Sequence, residues 1–201
     1  GYRDTPLEHG PVRELVEVRE DYAAVFGSGV PSTLEVRDRL VTGDFIVEIT
    51  RFTRARVGAA PEVLLIGQVE EGRIRNTWAG LARAAPGAAV PVQGQVDAYN
   101  ARDIEAFASF YAEDLKIYRL PDGELILDGR AALRERYATF FEASPDLDCT
   151  VVKRLVAGPW VVDREVVTGA RGGPVLRAVA VYKVEGGLIQ AIWFLPREGA
   201  K

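Results

Sequence analysis

The segment VEGGLIQAIW, Val184–Trp193, reads as the closing hairpin of a sheet. A strand ends at Val184, Glu185-Gly186-Gly187 turns the chain, and an alternating strand returns. Nearly the same phrase, VEEGRIRNTW, stands at Val69–Trp78. A shift of 115 positions aligns Arg19–Trp78 with Arg134–Trp193 without a gap, and 20 of the 60 pairs are identical. Among them are Tyr22/Tyr137, Phe26/Phe141, Arg39/Arg154, Gly43/Gly158, Arg56/Arg171, Gly72/Gly187 and Trp78/Trp193. Unbroken register over a helix, three turns and four strands is the signature of a repeated fold unit.

The second copy is the more complete. Val92, Val96 and Tyr99 share one face of a helix. Asp103 is placed to cap a second helix whose inner face is Ile104, Phe107, Phe110 and Tyr111. Leu115–Arg119 alternates as a strand, Pro121-Asp122-Gly123 turns, and ELILDG returns. A third helix is expected over about Arg130–Phe141. Strands are expected at Cys149–Val156, Trp160–Thr168, Val175–Val184 and Leu188–Leu195. The resulting order, ααββαββββ, predicts an α+β layer with helices on one face of a curved, mostly antiparallel sheet. In the first copy a long helix is expected at Pro11–Phe26, then strands near Thr33–Val41, Phe45–Thr53, Glu62–Val69 and Arg73–Trp78. The expected organisation is an incomplete unit over 1–78, an Ala/Pro/Gly linker over 79–91, a complete unit over 92–196 and a tail over 197–201. The sequence has no methionine, so an upstream segment is expected to have been removed or to lie outside it.

The 201 residues suffice for one large or two small cores. A net charge of −4 and the lack of a basic tract argue against a nucleic-acid partner. No apolar run approaches membrane-spanning length, so no membrane role is expected. One histidine, His9, and one cysteine, Cys149, cannot build a His/Cys metal site, and the acids show no metal-binding spacing. No cofactor is expected, and the working expectation for compartment is cytoplasmic.

The order and several phrases resemble the nuclear transport factor 2-like superfamily, in its SnoaL-like and steroid-isomerase-like branch. VQGQVDAYNARDIEAFASFYAEDLKIY is similar to its opening helices and first strand, LDGRAALRERYATFF to its third helix, and AGPWVVDREVVTG to its third-strand signature. The resemblance implies two cone-shaped, cystatin-like units, the first lacking the opening helices, paired as a pseudo-dimer. In ketosteroid isomerases it further implies a helix-1 tyrosine, matched by Tyr99. It implies also a base at the end of the first strand, where Tyr118-Arg119 stand, and a protonated aspartate on a later strand, where Val179 stands. Two of those three groups are missing, which argues against steroid isomerase chemistry.

The candidate ligand pocket lies in the second unit. Tyr99, Tyr111, Tyr118 and Tyr137 are expected to face its interior, since tyrosine joins apolar bulk to one polar tip. By analogy with family strand faces, Trp160, Val162, Arg164 and Val166 point to the helices, with Arg119, Val179 and Phe194 completing the lining. Asp163 and Glu165 share the other side of the strand. They read either as an acid/base pair or as a polar outer face, with the second preferred. Arg164 reads equally as a ligand-anion site or as half of an internal salt bridge. Two functions remain open. One is an isomerase, cyclase or dehydratase acting on a small, partly apolar carbonyl or carboxylate compound. The other is a non-catalytic module binding a small ligand or a protein. Self-association, or a partner covering the first unit, is also open.

Overall fold

The computed structural model describes residues 3–6, 13–14, 32–54 and 58–196. The chain divides into two compact units, Gly1–Ala84 and Ala85–Lys201.

The first unit contains strands β1 (Arg3–Pro6), β2 (Arg13–Glu14), β3 (Ser32–Thr42), β4 (Phe45–Arg54), β5 (Gly58–Glu70) and β6 (Arg73–Ala82). They form one sheet in the order β2-β1-β6-β5-β4-β3, with β1 parallel to β6. The helix expected over Pro11–Phe26 is corrected at Arg13–Glu14, which pair with Asp4 and Arg3. Strand pairing there overrides a helical spacing that is only a weak local preference. The rest of that segment lies outside the described residues. The expected linker is also shorter: Ala79–Ala82 continue β6 opposite Leu65–Glu62, and helix resumes at Ala89. One ladder, Leu40, Val47, Ile66 and Trp78, is buried throughout. Phe45 stacks on Trp78 at 6.1 Å between ring centroids. Val47 and Ile49 are both buried. Each such side chain contributes roughly 1.5–3 kcal/mol of burial free energy.

The second unit has the expected order: helices α1 (Ala89–Ala101) and α2 (Ile104–Ser109), strands β7 (Tyr111–Arg119) and β8 (Glu124–Asp128), helix α3 (Arg130–Glu142), then β9 (Asp148–Ala157), β10 (Trp160–Thr168), β11 (Leu176–Glu185) and β12 (Leu188–Phe194). The Asp103 side chain caps α2, accepting from the Ala106 N–H at 3.0 Å. Tyr111 opens β7 instead of closing α2, because it pairs with Ile189. The α1 and α2 segments approach closely at Gly94, where a Cβ would fall 2.3 Å from the Phe110 ring. Val92, Val96, Phe107, Leu133 and Phe141 from the helical side pack with Val161, Ala180, Tyr182 and Ile192 from the sheet.

The two sheets share one connectivity. The second runs β8-β7-β12-β11-β10-β9, again with its first strand parallel to its last. Irregularities recur at equivalent places. The β3–β4 pairing slips around Arg37 and the β9–β10 pairing around Val152; the last hairpins slip at Gln68/Val69 and at Lys183/Val184. Bulges re-aim the strand after them, so their position is part of the fold.

Candidate functional site

Between the helices and the sheet of the second unit lies a cavity of about 430 Å³. Its walls are largely aromatic: Tyr99 of α1, Phe107 of α2, Tyr137 and Phe140 of α3, and Phe194 of β12. The rings brace one another, with Phe107 and Tyr137 4.8 Å apart and Tyr99 and Phe141 5.4 Å apart. Size and lining suit a small organic ligand.

Deep in this cavity stands Glu165 of β10, only 7% exposed. The Tyr182 hydroxyl donates to Glu165 Oε1 at 2.8 Å. Gln95 of α1 donates through Nε2 to the Tyr182 hydroxyl at 3.4 Å, and its Oε1 accepts from the Tyr111 hydroxyl at 3.0 Å. The chain of bonds therefore ends on the carboxylate. Glu165 Oε2 takes no hydrogen bond among the described residues. Burial pushes the Glu165 carboxyl up to about 7, although the Tyr182 hydrogen bond pulls the other way. Burial also drives Tyr111 and Tyr182 well above 10 and Tyr137 up to about 12. All three hydroxyls stay protonated at neutral pH, and those of Tyr111 and Tyr182 donate within the cavity. The Tyr137 hydroxyl has no hydrogen-bond partner among the described residues. Cys149 also lines the cavity, but burial raises its thiol far from thiolate character.

Asp163, two residues before Glu165, has a different task. Arg154 holds it with two bonds, Nε to Oδ1 at 2.7 Å and Nη2 to Oδ2 at 2.6 Å. The pair satisfies a fully buried carboxylate. Asn100 fixes the neighbouring edge strand: its amide donates to the Cys149 carbonyl at 3.0 Å and accepts from the Cys149 N–H at 2.7 Å. Two arginines line the cavity while remaining exposed, Arg136 on α3 and Arg171 in the loop after β10. They stand at its opening. Among the described residues no group of His, Cys, Asp and Glu is arranged to hold a metal ion.

The sequence profile of the SnoaL-like domain family matches residues 92–192, half of the chain. The chain belongs to the SnoaL-like family. No functionally curated protein matches it in sequence. Among solved structures, an uncharacterized cystatin-fold protein of Novosphingobium aromaticivorans is 24% identical, with a TM-score of 0.49 over 54% of this chain and 97% of its own. A hypothetical protein of Catenulispora acidiphila with a ketosteroid isomerase-like fold, solved with trimethylamine, is 18% identical, with a TM-score of 0.45 over 55% and 85%. A proposed polyketide cyclase of Streptomyces antibioticus is 19% identical, with a TM-score of 0.45 over 54% and 90%. No helix among the described residues is long and apolar enough to cross a membrane.

In this SnoaL-like unit Tyr99, Tyr111, Tyr137 and Phe194 line the cavity together, as expected from the sequence. Tyr118, Arg119, Trp160, Arg164 and Val179 do not. Tyr118 stacks on Trp193 at 5.6 Å, and Trp160 lies 5.7 Å from the same ring. Arg119 pairs with Glu124 at the exposed end of β7. Arg164 is directly opposite Val179, and the pair shares the Trp193 face. The face assignment of β10 is thus reversed. Cross-strand partners must share a side of the sheet. Val162 faces Val181, which faces Trp193, while Asp163 faces Ala180, which faces the cavity residue Phe194. Placing Trp193 away from the cavity therefore forces Trp160, Val162 and Arg164 away from it, and turns Glu165 inward. The cavity residues Gln95, Tyr182, Arg136 and Arg171 were not among the sequence candidates, and Glu165, weighed as half of an acid/base pair, was placed by preference on the outer face. Gln95 had a signal, as a polar residue within the apolar face of Val92, Val96 and Tyr99.

Proposed function

We infer that the second unit binds a small, partly apolar carbonyl compound and moves a proton at a carbon next to its carbonyl, as an isomerase or cyclase does. The observation that carries this is Glu165, a buried carboxylate at the end of a hydrogen-bond chain and inside an aromatic cavity. A general base works best when its pKa lies near the operating pH, and Glu165 sits at about 7. Glu165 takes the proton, the C–H electron pair moves into the carbonyl, and an enolate forms. Where a neighbouring double bond extends the enolate, return of the proton to its far carbon gives an isomer; attack of the enolate on a second carbonyl closes a ring, and the new alkoxide takes the proton back from Glu165. The Tyr137 hydroxyl is the donor for the enolate oxygen, since it stays protonated. Tyr182, Gln95 and Tyr111 position the carboxylate. The missing carboxylates at the two steroid-isomerase positions argued against that chemistry, and Glu165 offers a carboxylate from another position of the same cavity.

The first unit carries no such site in this reading. At the registers of Glu165 and Tyr182 it has Thr50 and Gly67. Duplication of one ancestral unit, with chemistry kept in the later copy, is part of the proposal. Its support is the shared strand order and the recurring bulges.

The test is hydrogen–deuterium exchange at the activated methylene of 2-tetralone, followed by NMR. The wild-type chain is expected to accelerate exchange, and Glu165→Gln to lose at least about a hundredfold of that acceleration. Equal rates for the two proteins would remove Glu165 as the base.

A further inference from the structure

The opening of the cavity differs in charge from the chain as a whole. Glu165 is the only acid lining the cavity among the described residues, and it is deep. The outer lining carries two guanidinium groups instead, in a chain whose net charge is −4. Four other arginines of the unit are held by carboxylates, Arg119 by Glu124, Arg130 by Glu113, Arg134 by Glu105 and Arg154 by Asp163, while Arg102 bonds the Leu147 carbonyl. Arg136 and Arg171 pair with no carboxylate among the described residues. Arg136 only reaches the Ile126 carbonyl, at 3.5 Å.

Both groups are brought to one place. Arg136 stands one helical turn before Phe140 on the same face of α3. The Arg171 guanidinium lies over the Phe140 ring, 5.6 Å from its centroid. The loop that presents Arg171 is built for that position. Gly169 turns with φ +69°, and a Cβ there would lie 1.9 Å from the Asp146 carbonyl oxygen. Arg171 itself is left-handed, with φ 49° and ψ 33°, and its N–H donates to the buried Ser144 hydroxyl at 2.9 Å. A non-glycine residue held in this region marks a place where the surroundings over-determine the backbone. Here the result is a cation at the mouth of an aromatic cavity.

We propose that Arg136 and Arg171 together bind the carboxylate of an organic acid whose ring system fills the cavity and whose reactive carbon lies at Glu165. The guanidinium fork matches the planar carboxylate, and Phe140, under the Arg171 guanidinium, packs against the ligand's apolar body. The proposal rests on the reading of the cavity as the ligand site, and it narrows the substrate class to acids bearing an aromatic or fused-ring body.

Two probes of one shape test it: 2-naphthoate and its neutral analogue 2-naphthamide, titrated calorimetrically into the full chain at neutral pH and low salt. The naphthoate is expected to bind roughly five- to tenfold more tightly, in keeping with two partly solvated ion pairs. The double variant Arg136→Gln/Arg171→Gln is expected to bring the two affinities within about twofold. Both side chains are exposed, so the variant is expected to fold; its circular dichroism is compared with wild type. Equal affinities in the wild type, a preference that survives in the double variant, or no binding of either probe at millimolar concentration would each overturn the proposal. The tetralone exchange assay separates this from the reading of Glu165. Exchange that depends on Glu165 without carboxylate preference would sink the anion site alone. Carboxylate preference without such exchange would sink the proton-transfer reading alone.

Discussion

Glu165 and Tyr182 are the pair on which the chemistry turns, and both have effects visible without a substrate. The ordinary glutamate value is 4.5, and Glu165 in the folded chain sits at about 7. Between those values the folded protein keeps a proton that the unfolded chain has lost. Stability is therefore higher at low pH on account of this group, and it falls as pH rises through the window from 4.5 to about 7. The full loss corresponds to about 3 kcal/mol. Glu165→Gln is expected to flatten that part of the profile, so the stability gap between variant and wild type, from urea unfolding, grows in the variant's favour as pH rises through it. A gap independent of pH would mean that Glu165 is not shifted. Tyr182→Phe removes the hydrogen bond that favours the charged form. The pH at which 2-tetralone exchange reaches half its plateau is then expected to move upward, a change that lost packing alone would not produce.

At the scale of elements, two loop-and-strand devices hold the cavity wall. One is the Asn100 amide, which pairs with the Cys149 backbone as a neighbouring strand would. The other is the turn at Gly169. Alanine there meets backbone atoms of Asp146 and Leu147, which cannot move as a side chain could. Gly169→Ala is expected to cost roughly 2–4 kcal/mol and to displace Arg171. Urea unfolding reads the first effect, and loss of naphthoate preference the second. A variant as stable as wild type would show that the loop relaxes freely. The element order was legible because each element carries its own local signal: Asp103 before an apolar helical face, Gly186-Gly187 between two alternating strands. Tyr111 was misplaced because its helical spacing is real, yet its backbone pairs with Ile189.

For the whole molecule, the repeated register makes one comparison sharp. Arg154–Asp163 and Arg39–Glu48 are cross-strand ion pairs at equivalent positions, the latter with Nε to Oε1 at 2.5 Å. Their surroundings differ: the Arg154 and Asp163 side chains are 19% and 0% exposed, those of Arg39 and Glu48 55% and 20%. Removing the cation beside a buried carboxylate leaves an uncompensated charge. Arg154→Met is expected to cost about 3–5 kcal/mol, and Arg39→Met less than about 1 kcal/mol. Denaturant unfolding of the two variants side by side checks this. Similar costs would mean that the pair's role, not its burial, sets its contribution.

Local patterning alone determined the order of elements and the turns of the second unit, because each depends on residues close together in sequence. It also determined that Asp163 and Glu165 share one side of β10. Which side receives the helices is not a local property. It follows from the ladder that joins Val162 through Val181 to Trp193, and so only the folded sheet turned Glu165 inward and Arg164 away. The same holds for Arg136 and Arg171, distant in sequence and brought to one cavity only by the folded chain.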